Sequence, residues 1–215
     1  MIHEQVIPKY HIITPTQSSE ALKILSKSLA IPSLRQVVDQ IIKNNAIEAI
    51  SINLLDMLIN TRFVKQTLIN SLEQPLYIFT FDGCFNDGTN AKVYTRQGII
   101  LLAKPICSNA ITEIFLHELG HMHHVCITGD IDVCPERFLK LLDHTIIKND
   151  DYLQTHWTRI SAKCPYDFTR EKYADAYMIA GMSFISGADI DRYITKYLHP
   201  NTIKLFQNYF LSEIV

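Results

Sequence analysis

The feature that most constrains this chain is the run His117-Glu118-Leu119-Gly120-His121, which lies inside a segment with helical periodicity. The segment predicts a helix over residues 109–125, with Ser108 or Asn109 as its cap. At this spacing both histidines lie one turn apart on one helix face, so their imidazoles can reach one metal ion while Glu118 handles a proton beside them. The pattern is typical of zinc-dependent hydrolases.

Apolar residues at helical intervals indicate which side of this helix is buried. One flank carries Ile111, Phe115, Leu119, Met122 and Cys126, so we expect that flank to face the core and the histidine edge to face a cleft. The alternative is a buried amphipathic helix whose histidines are only hydrogen-bonded.

Two histidines do not complete a catalytic zinc site, which needs a third protein ligand and one position open to water. Glu171 is the candidate, in a predicted helix over residues 167–186 that is entered through Pro165 and capped by Asp167. Asp175 follows one turn later on the same face, where a carboxylate can accept the outer N–H of a ligating histidine. The alternative for Glu171 is a solvated surface charge.

With these motifs the chain resembles the thermolysin-like (gluzincin) branch of zinc metallopeptidases, and within it the ImmA/IrrE family. The resemblance rests on Gly98-Ile99-Ile100-Leu101-Leu102, Phe115-Leu116-His117-Glu118-Leu119-Gly120-His121 and Glu171-Lys172-Tyr173-Ala174-Asp175, and spans about residues 76–185. It implies that His117, His121 and Glu171 hold one zinc ion, that Glu118 is the general base and that Asp175 supports a ligand from behind.

Two features depart from the usual pattern of the ImmA/IrrE family. Glu171 lies fifty positions after His121, which is a long separation, and Tyr173 stands where an acidic residue is common. The broader resemblance to gluzincins depends on neither feature.

An oxyanion stabiliser and a substrate-binding strand are further requirements of peptide hydrolysis. The candidate stabilisers are Tyr94, His124, Tyr152, Tyr166 and Tyr177, among which the sequence does not choose. Residues 99–102 are a candidate edge strand that would bind an extended peptide by strand addition.

The sequence contains residues for three alternative metal sites. Asp130 or Asp132 is an alternative third ligand, because in some zinc proteases an aspartate shortly after the second histidine binds the metal. The rest of the sequence pattern of those proteases does not follow here. The metzincin pattern fails, because His124 and Ile127 stand where its glycine and third histidine would fall. Cys126, Cys134 and Cys164 with His123 have irregular spacing for a structural zinc site, and buried free thiols are the favoured interpretation.

Composition sets the compartment that we expect. The chain has 215 residues, is 47% hydrophobic and contains five cysteines. It lacks an N-terminal apolar segment typical of a signal peptide and any apolar run long enough to span a bilayer. We therefore expect a soluble protein of the cytoplasm or another reducing intracellular compartment. An effector delivered by a signal-independent route would carry the same signature.

The charge balance argues against nucleic acid as a partner. The formal net charge is −2 and the pI is near 6.5, which leaves no basic footprint. Residues 21–44 read as two helices broken at Ile31-Pro32-Ser33, a faint likeness to a helix-turn-helix. A helical hairpin that packs on the catalytic region or binds a regulatory protein is favoured over a DNA reader.

Periodicity and turn signals divide the chain into elements. Helices are predicted over residues 18–30, 33–44, 47–71, 109–125, 135–147, 152–162, 167–186, 189–197 and 202–211, and strands over 76–81, 92–95 and 98–102. This order predicts an α+β, mainly helical zincin-like fold with a small antiparallel sheet next to the active-site helix. Residues 1–71 form a helical N-terminal extension packed on a catalytic domain of residues 72–215, in one compact unit.

The sequence therefore predicts a zinc metallopeptidase that cuts a protein or peptide substrate, with no membrane partner. The alternative is a zinc-containing regulatory or protein-binding module of the same fold without turnover. Glu118 favours the enzyme, because a purely structural zinc needs no general base. His144 and His156 read as ordinary structural histidines.

Overall fold

The computed structural model describes residues 9–13, 52–81, 85, 89–103, 108–163, 168–185 and 197–212 of the chain. The predicted helices over residues 18–30 and 33–44 lie outside these ranges, and so does all but the last residue of the one over 189–197. The choice between a helical hairpin and a helix-turn-helix therefore stays a prediction.

Helices dominate the described residues. They are α1 (Ile52–Ile59), α2 (Arg62–Thr67), α3 (Ser108–Thr128), α4 (Glu136–Leu142), α5 (Thr145–Lys148), α6 (Asp151–Lys163), α7 (Phe168–Met182) and α8 (Pro200–Ser212). The strands are β1 (Tyr10–Ile13), β2 (Leu76–Phe81), β3 (Ala91–Tyr94) and β4 (Ile99–Ala103). The α+β, mainly helical fold class is confirmed.

The four described strands form one sheet in the order β1-β2-β4-β3, and this sheet is mixed. Strand β2 runs parallel to both β1 and β4, whereas β3 is antiparallel to β4. The prediction of an antiparallel sheet is therefore wrong for two of three pairings. Of the four described strands, β3 and β4 alone form a hairpin, through a tight turn closed by Gly98 at a φ of 63°, a conformation that glycine adopts readily.

Strand β4 is interior, so the prediction that residues 99–102 are an edge strand is also wrong. All five residues of β4 are buried, as expected for a strand covered on both faces, which reads as a continuous apolar run. Strand β1 was not predicted, because four residues are too few for a periodic pattern to stand out. Among the described strands, β1 and β3 form the two edges.

Two predicted helices are interrupted in the structure. The helix predicted over residues 47–71 contains α1 and α2 as separate helices, followed by a 3-10 turn at Ile69–Ser71. Thr61 starts α2, because its side chain accepts a hydrogen bond from the Val64 N–H. In the same way His144 has an extended backbone and caps α5, which divides the helix predicted over residues 135–147.

One hydrophobic core joins the sheet to the helices. It includes Leu55 and Phe63 from α1 and α2, Ile100 from β4, Phe115 from α3 and Tyr177 from α7. Strand β1 and helices α1 and α2, all from the predicted N-terminal extension, thus share the sheet and core of the remaining chain. The boundary at residue 71 stays a prediction.

Asp150 fixes the start of α6 against the start of α8. Its Oδ1 accepts a hydrogen bond from the Leu153 N–H at 3.1 Å, while its Oδ2 accepts from the His199 N–H at 3.0 Å and the Thr202 hydroxyl at 2.6 Å. These bonds satisfy backbone donors at the N-termini of two helices. The first turn of α6 is therefore tied to the first turn of α8.

Candidate metal centre

Helix α3 carries the two histidines of the His-Glu-x-x-His run on one face, as the spacing predicts. The ring centroids of His117 and His121 are 4.9 Å apart and the rings are nearly perpendicular, at 86°. The predicted apolar flank, from Ile111 to Met122, is buried. Cys126 is exposed instead, because it lines an open cavity beside Gln74 and Arg96 rather than the core.

Helix α7 brings Glu171 to these histidines. The Glu171 Oε2 lies 3.2 Å from the His117 Nε2, and its Oε1 lies 3.6 Å from the His121 Nε2. One potential ligand atom from each of the three residues lies within 4.8 Å of the others. The three residues therefore form a group that can hold a metal ion.

Gly120 allows the two helices to come this close. A Cβ at this position would lie 2.7 Å from the Ala174 Cα, 2.9 Å from the Ala174 carbonyl oxygen and 3.0 Å from the Tyr177 Cβ. Since two of these three atoms belong to the α7 backbone, no side-chain rotation removes the clash. The glycine between the two histidines thus sets the distance from α3 to α7.

Asp175 lies directly behind His117. Its Oδ1 is 2.9 Å from the His117 Nδ1, and the carboxylate is only 3% exposed. Burial alone would raise the pKa of Asp175, but hydrogen bonds from His117 and His156 outweigh it and lower that pKa to about 2. An ionised carboxylate only accepts, so the His117 Nδ1–H donates to Asp175, and Nε2 is the ring nitrogen that faces Glu171.

The electrostatics of the two histidines differ. Burial by itself lowers the pKa of His117, but the hydrogen bonds with Asp175 and Glu171 hold it well above its usual range. Burial and the neighbouring charge of His117 hold the pKa of His121 well below its usual range. The carboxylates therefore favour positive charge at His117, while His121 stays a neutral imidazole with a lone pair to offer.

Glu118 is almost fully buried beside this group. Burial raises the pKa of Glu118 to about 7; the charge of His117 acts in the opposite direction, and that of Glu171 raises the pKa further. A bound divalent cation would lower this pKa again, because it favours the carboxylate form. With a cation bound, Glu118 would therefore be a carboxylate, the form that accepts a proton as a general base.

A cleft of about 450 Å³ opens onto these residues. His117, Glu118, His121 and Glu171 lie on its walls. The other lining residues are Thr89, Ala91, Lys92, Val93, Tyr94, Thr95, Ile131 and Arg170. Strand β3 therefore forms one side of the cleft, and it is an edge strand of the described sheet.

The candidate oxyanion stabilisers that the structure describes lie in different surroundings. Tyr94 lines the metal cleft, whereas Tyr152 lines a different cavity. Tyr177 is buried, with its hydroxyl 2.7 Å from that of Thr67, and the buried His124 donates from Nε2 to the Val133 carbonyl at 2.8 Å. Tyr166 lies outside the described residues. Tyr94 is the one described candidate that faces the cleft.

The alternative ligands Asp130 and Asp132 are not part of the group that the two histidines form with Glu171. The Asp130 carboxylate accepts a hydrogen bond from the Asp132 N–H at 3.1 Å, within its own loop. Among the described His, Cys, Asp and Glu residues, His117, His121 and Glu171 form the one group found with metal-ligand spacing. This spacing favours Glu171 over Asp130 or Asp132 as the third ligand.

The cysteine interpretation also needs correction. Cys126 is exposed and Cys134 is half-buried, so neither is a fully buried thiol, and Cys164 lies outside the described residues. His123 bonds elsewhere, with its Nδ1 at 3.0 Å from the Tyr173 hydroxyl. Tyr173, at the position where an acidic residue was expected, is thus a core residue that satisfies a buried histidine.

Sequence reasoning missed two residues at this site. Arg170 lines the cleft, with its Nε 3.9 Å from the Glu171 Oε1, and its place next to Glu171 was the available signal. His156 donates from Nε2 to the Asp175 Oδ2 at 3.1 Å. No sequence pattern links His156 to Asp175, because packing of α6 on α7 brings them together.

Comparison with protein families, with curated proteins and with solved structures finds no match to this chain. Within the part of the chain that the structure describes, no helix combines the length and apolar character needed to cross a bilayer. The function must therefore be inferred from the group that His117, His121 and Glu171 form.

Proposed function

We propose that this protein is a zinc-dependent metallopeptidase of the gluzincin type, related to the ImmA/IrrE family, that hydrolyses a peptide bond in a protein or peptide substrate. The observation that carries the proposal is the position of Glu171, which α7 brings against His117 and His121 in the same cleft as Glu118. A metal group and a buried carboxylate that can accept a proton are the minimum that such chemistry requires.

The donor atoms support zinc as the metal. Two imidazole nitrogens and one carboxylate are a common catalytic zinc set, which leaves a fourth position for water. Zinc bonds of about 2.0–2.2 Å separate neighbouring atoms of a tetrahedron by roughly 3.3–3.6 Å. The Glu171 Oε2 lies 3.2 Å from the His117 Nε2 and its Oε1 lies 3.6 Å from the His121 Nε2, so each oxygen is at about such a distance from one imidazole.

The residues divide the chemistry among them. A bound zinc ion would polarise the substrate carbonyl and lower the pKa of a water molecule. Glu118 takes a proton from the attacking water and delivers it to the leaving amine, and its buried position keeps this proton away from bulk solvent. Asp175 holds the His117 tautomer, and Tyr94, which lines the cleft, is the candidate donor to the developing oxyanion.

Strand β3 supports an extended peptide as the substrate. It lines the cleft and ends the described sheet, so a peptide can add to it as a further strand. Strand addition recognises the backbone of the substrate, which suits an enzyme acting on polypeptides. The substrate-binding strand is therefore β3 rather than the residues 99–102 considered from the sequence.

The test compares wild type with Glu118→Gln. We expect the variant to retain zinc by elemental analysis and to lose about 100- to 10,000-fold in turnover of an internally quenched peptide library, because the general base is gone. Glu136→Gln on α4 is the control, since Glu136 is exposed and far in the sequence from the motif. Undiminished turnover by zinc-loaded Glu118→Gln would reject the base. A zinc-loaded wild type that binds peptides without cutting any would favour the regulatory module.

A further inference from the structure

Asp175 is shared by two histidines from two different helices. His117 on α3 donates to its Oδ1 at 2.9 Å, and His156 on α6 donates to its Oδ2 at 3.1 Å. Because a carboxylate only accepts, both contacts require N–H groups on the imidazoles. The buried carboxylate therefore has a partner on each of its oxygens.

The two hydrogen bonds together fix the orientation of the Asp175 carboxylate. The terminal torsion of an aspartate is broad, so a carboxylate held on one side can rotate. A buried carboxylate oxygen without a partner is also costly. With His156 on Oδ2, rotation would break one hydrogen bond and leave one buried oxygen unpaired, and Oδ1 stays directed at His117.

His156 does not itself face the metal cleft. It lines a separate cavity of about 370 Å³ with Asp151, Tyr152, Thr155 and Arg159. The hydrogen bond to Asp175 is therefore the contact that connects His156 to His117. Helix α6 is well suited to hold such a residue, because Asp150 anchors its first turn to α8.

We propose that His156 is a positioning residue of the metal centre, which fixes the Asp175 carboxylate so that His117 presents its Nε2 towards Glu171 and His121. The inference rests on the proposed metal site and adds a third helix to it. Partners of this kind, one step behind a ligand, typically change metal affinity by about 10- to 100-fold when removed.

The experiment measures Co²⁺ and Zn²⁺ affinity of the full chain by competition with a chromophoric chelator, together with the visible spectrum of the Co²⁺ protein. We expect His156→Ala to weaken binding by about 10-fold and to alter the Co²⁺ bands. His156→Gln should restore most of the affinity, because its amide N–H can reach the position of the imidazole Nε2–H. His144→Asn is the matched control, since His144 is exposed and an asparagine can also cap α5.

A double-mutant comparison separates positioning from general loosening of the fold. Asp175→Ala removes the acceptor of both histidines, so His156 has no carboxylate left to orient. His156→Ala should then cost little further affinity in the Asp175→Ala background. Full additivity of the two losses, or unchanged affinity and Co²⁺ bands in His156→Ala, would overturn the inference.

Failure of the proposed function gives a different result. A wild-type protein that binds neither ion would remove the metal site and this inference with it. A wild-type protein that binds metal and cuts peptides, beside a His156→Ala variant indistinguishable from it, would remove only the role of His156. Thermal unfolding of each variant checks that the fold is intact.

Discussion

At the scale of single residues, the carboxylate of Glu171 is the group that completes, with the two histidines, a cluster that can hold a metal ion. Glu171 comes from α7, whereas both histidines lie on α3, and each of its oxygens faces a different imidazole. From the sequence it was a candidate with a solvated surface charge as the alternative. Only its distance to the histidines decides between them, and distance across fifty positions of chain is not encoded in a local pattern.

Glu171→Ala should therefore weaken metal binding more than removal of Asp175 or His156 does. We expect a decrease in Zn²⁺ affinity beyond the roughly 10- to 100-fold typical of an outer partner, because one of three protein ligands is lost. Chelator competition or calorimetry measures the change, with Glu136→Ala as the control. Normal zinc content in Glu171→Ala would show that another residue completes the site.

At the scale of elements, the site depends on how closely α3 and α7 pack. The two helices bury Phe115 and Leu119 on one side and Ala174 and Tyr177 on the other. The apolar periodicity predicted both helices and the buried flank of α3. It did not reveal that Gly120 is a contact point, since a glycine within a helix pattern shows no partner in sequence.

Gly120→Ala should disturb both stability and metal binding. Alanine is the better helix former by about 1 kcal/mol, but its Cβ would meet the α7 backbone. We expect a net loss of about 1–3 kcal/mol in the free energy of unfolding. Metal affinity should fall as well, because His117 and His121 would move away from Glu171. Urea denaturation and chelator competition measure the two effects.

Gly181→Ala provides the comparison on the same helix pair. Its added Cβ would lie 3.2 Å from the Leu116 Cδ2 and the Phe63 Cε1, which are ends of side chains that can adjust. We expect a smaller loss of stability and unchanged metal affinity. If both glycine variants bound metal like wild type, the close approach at Gly120 would not be what sets the site.

At the scale of the whole molecule, bound metal should act as a clamp between two helices of the core. The ligands come together only in the folded chain, so an ion that binds the folded state stabilises it by mass action. At a free zinc concentration about 100 times the Kd this amounts to about 2.7 kcal/mol. For a chain of this size that shift corresponds to roughly 5–10 °C in Tm.

Chelation should accordingly lower the Tm of the wild-type protein by several degrees, and added zinc should restore it. His117→Ala is the matched control, because a protein without the site should show the same Tm with and without chelator. Differential scanning fluorimetry measures the shift. An equal Tm for the zinc-loaded and chelated wild type would count against a metal bound between α3 and α7.

The sequence by itself determined what depends on neighbours along the chain. It specified the helix that carries His117 and His121, the helix that carries Glu171 and Asp175, and most of the strand positions, because periodicity, caps and turn residues act locally. The tertiary structure alone decided the mixed sheet, the edge position of β3, the approach of Glu171 and the contact of His156 with Asp175. Those features depend on which surfaces pack together, and packing is settled by the whole core rather than by any one segment.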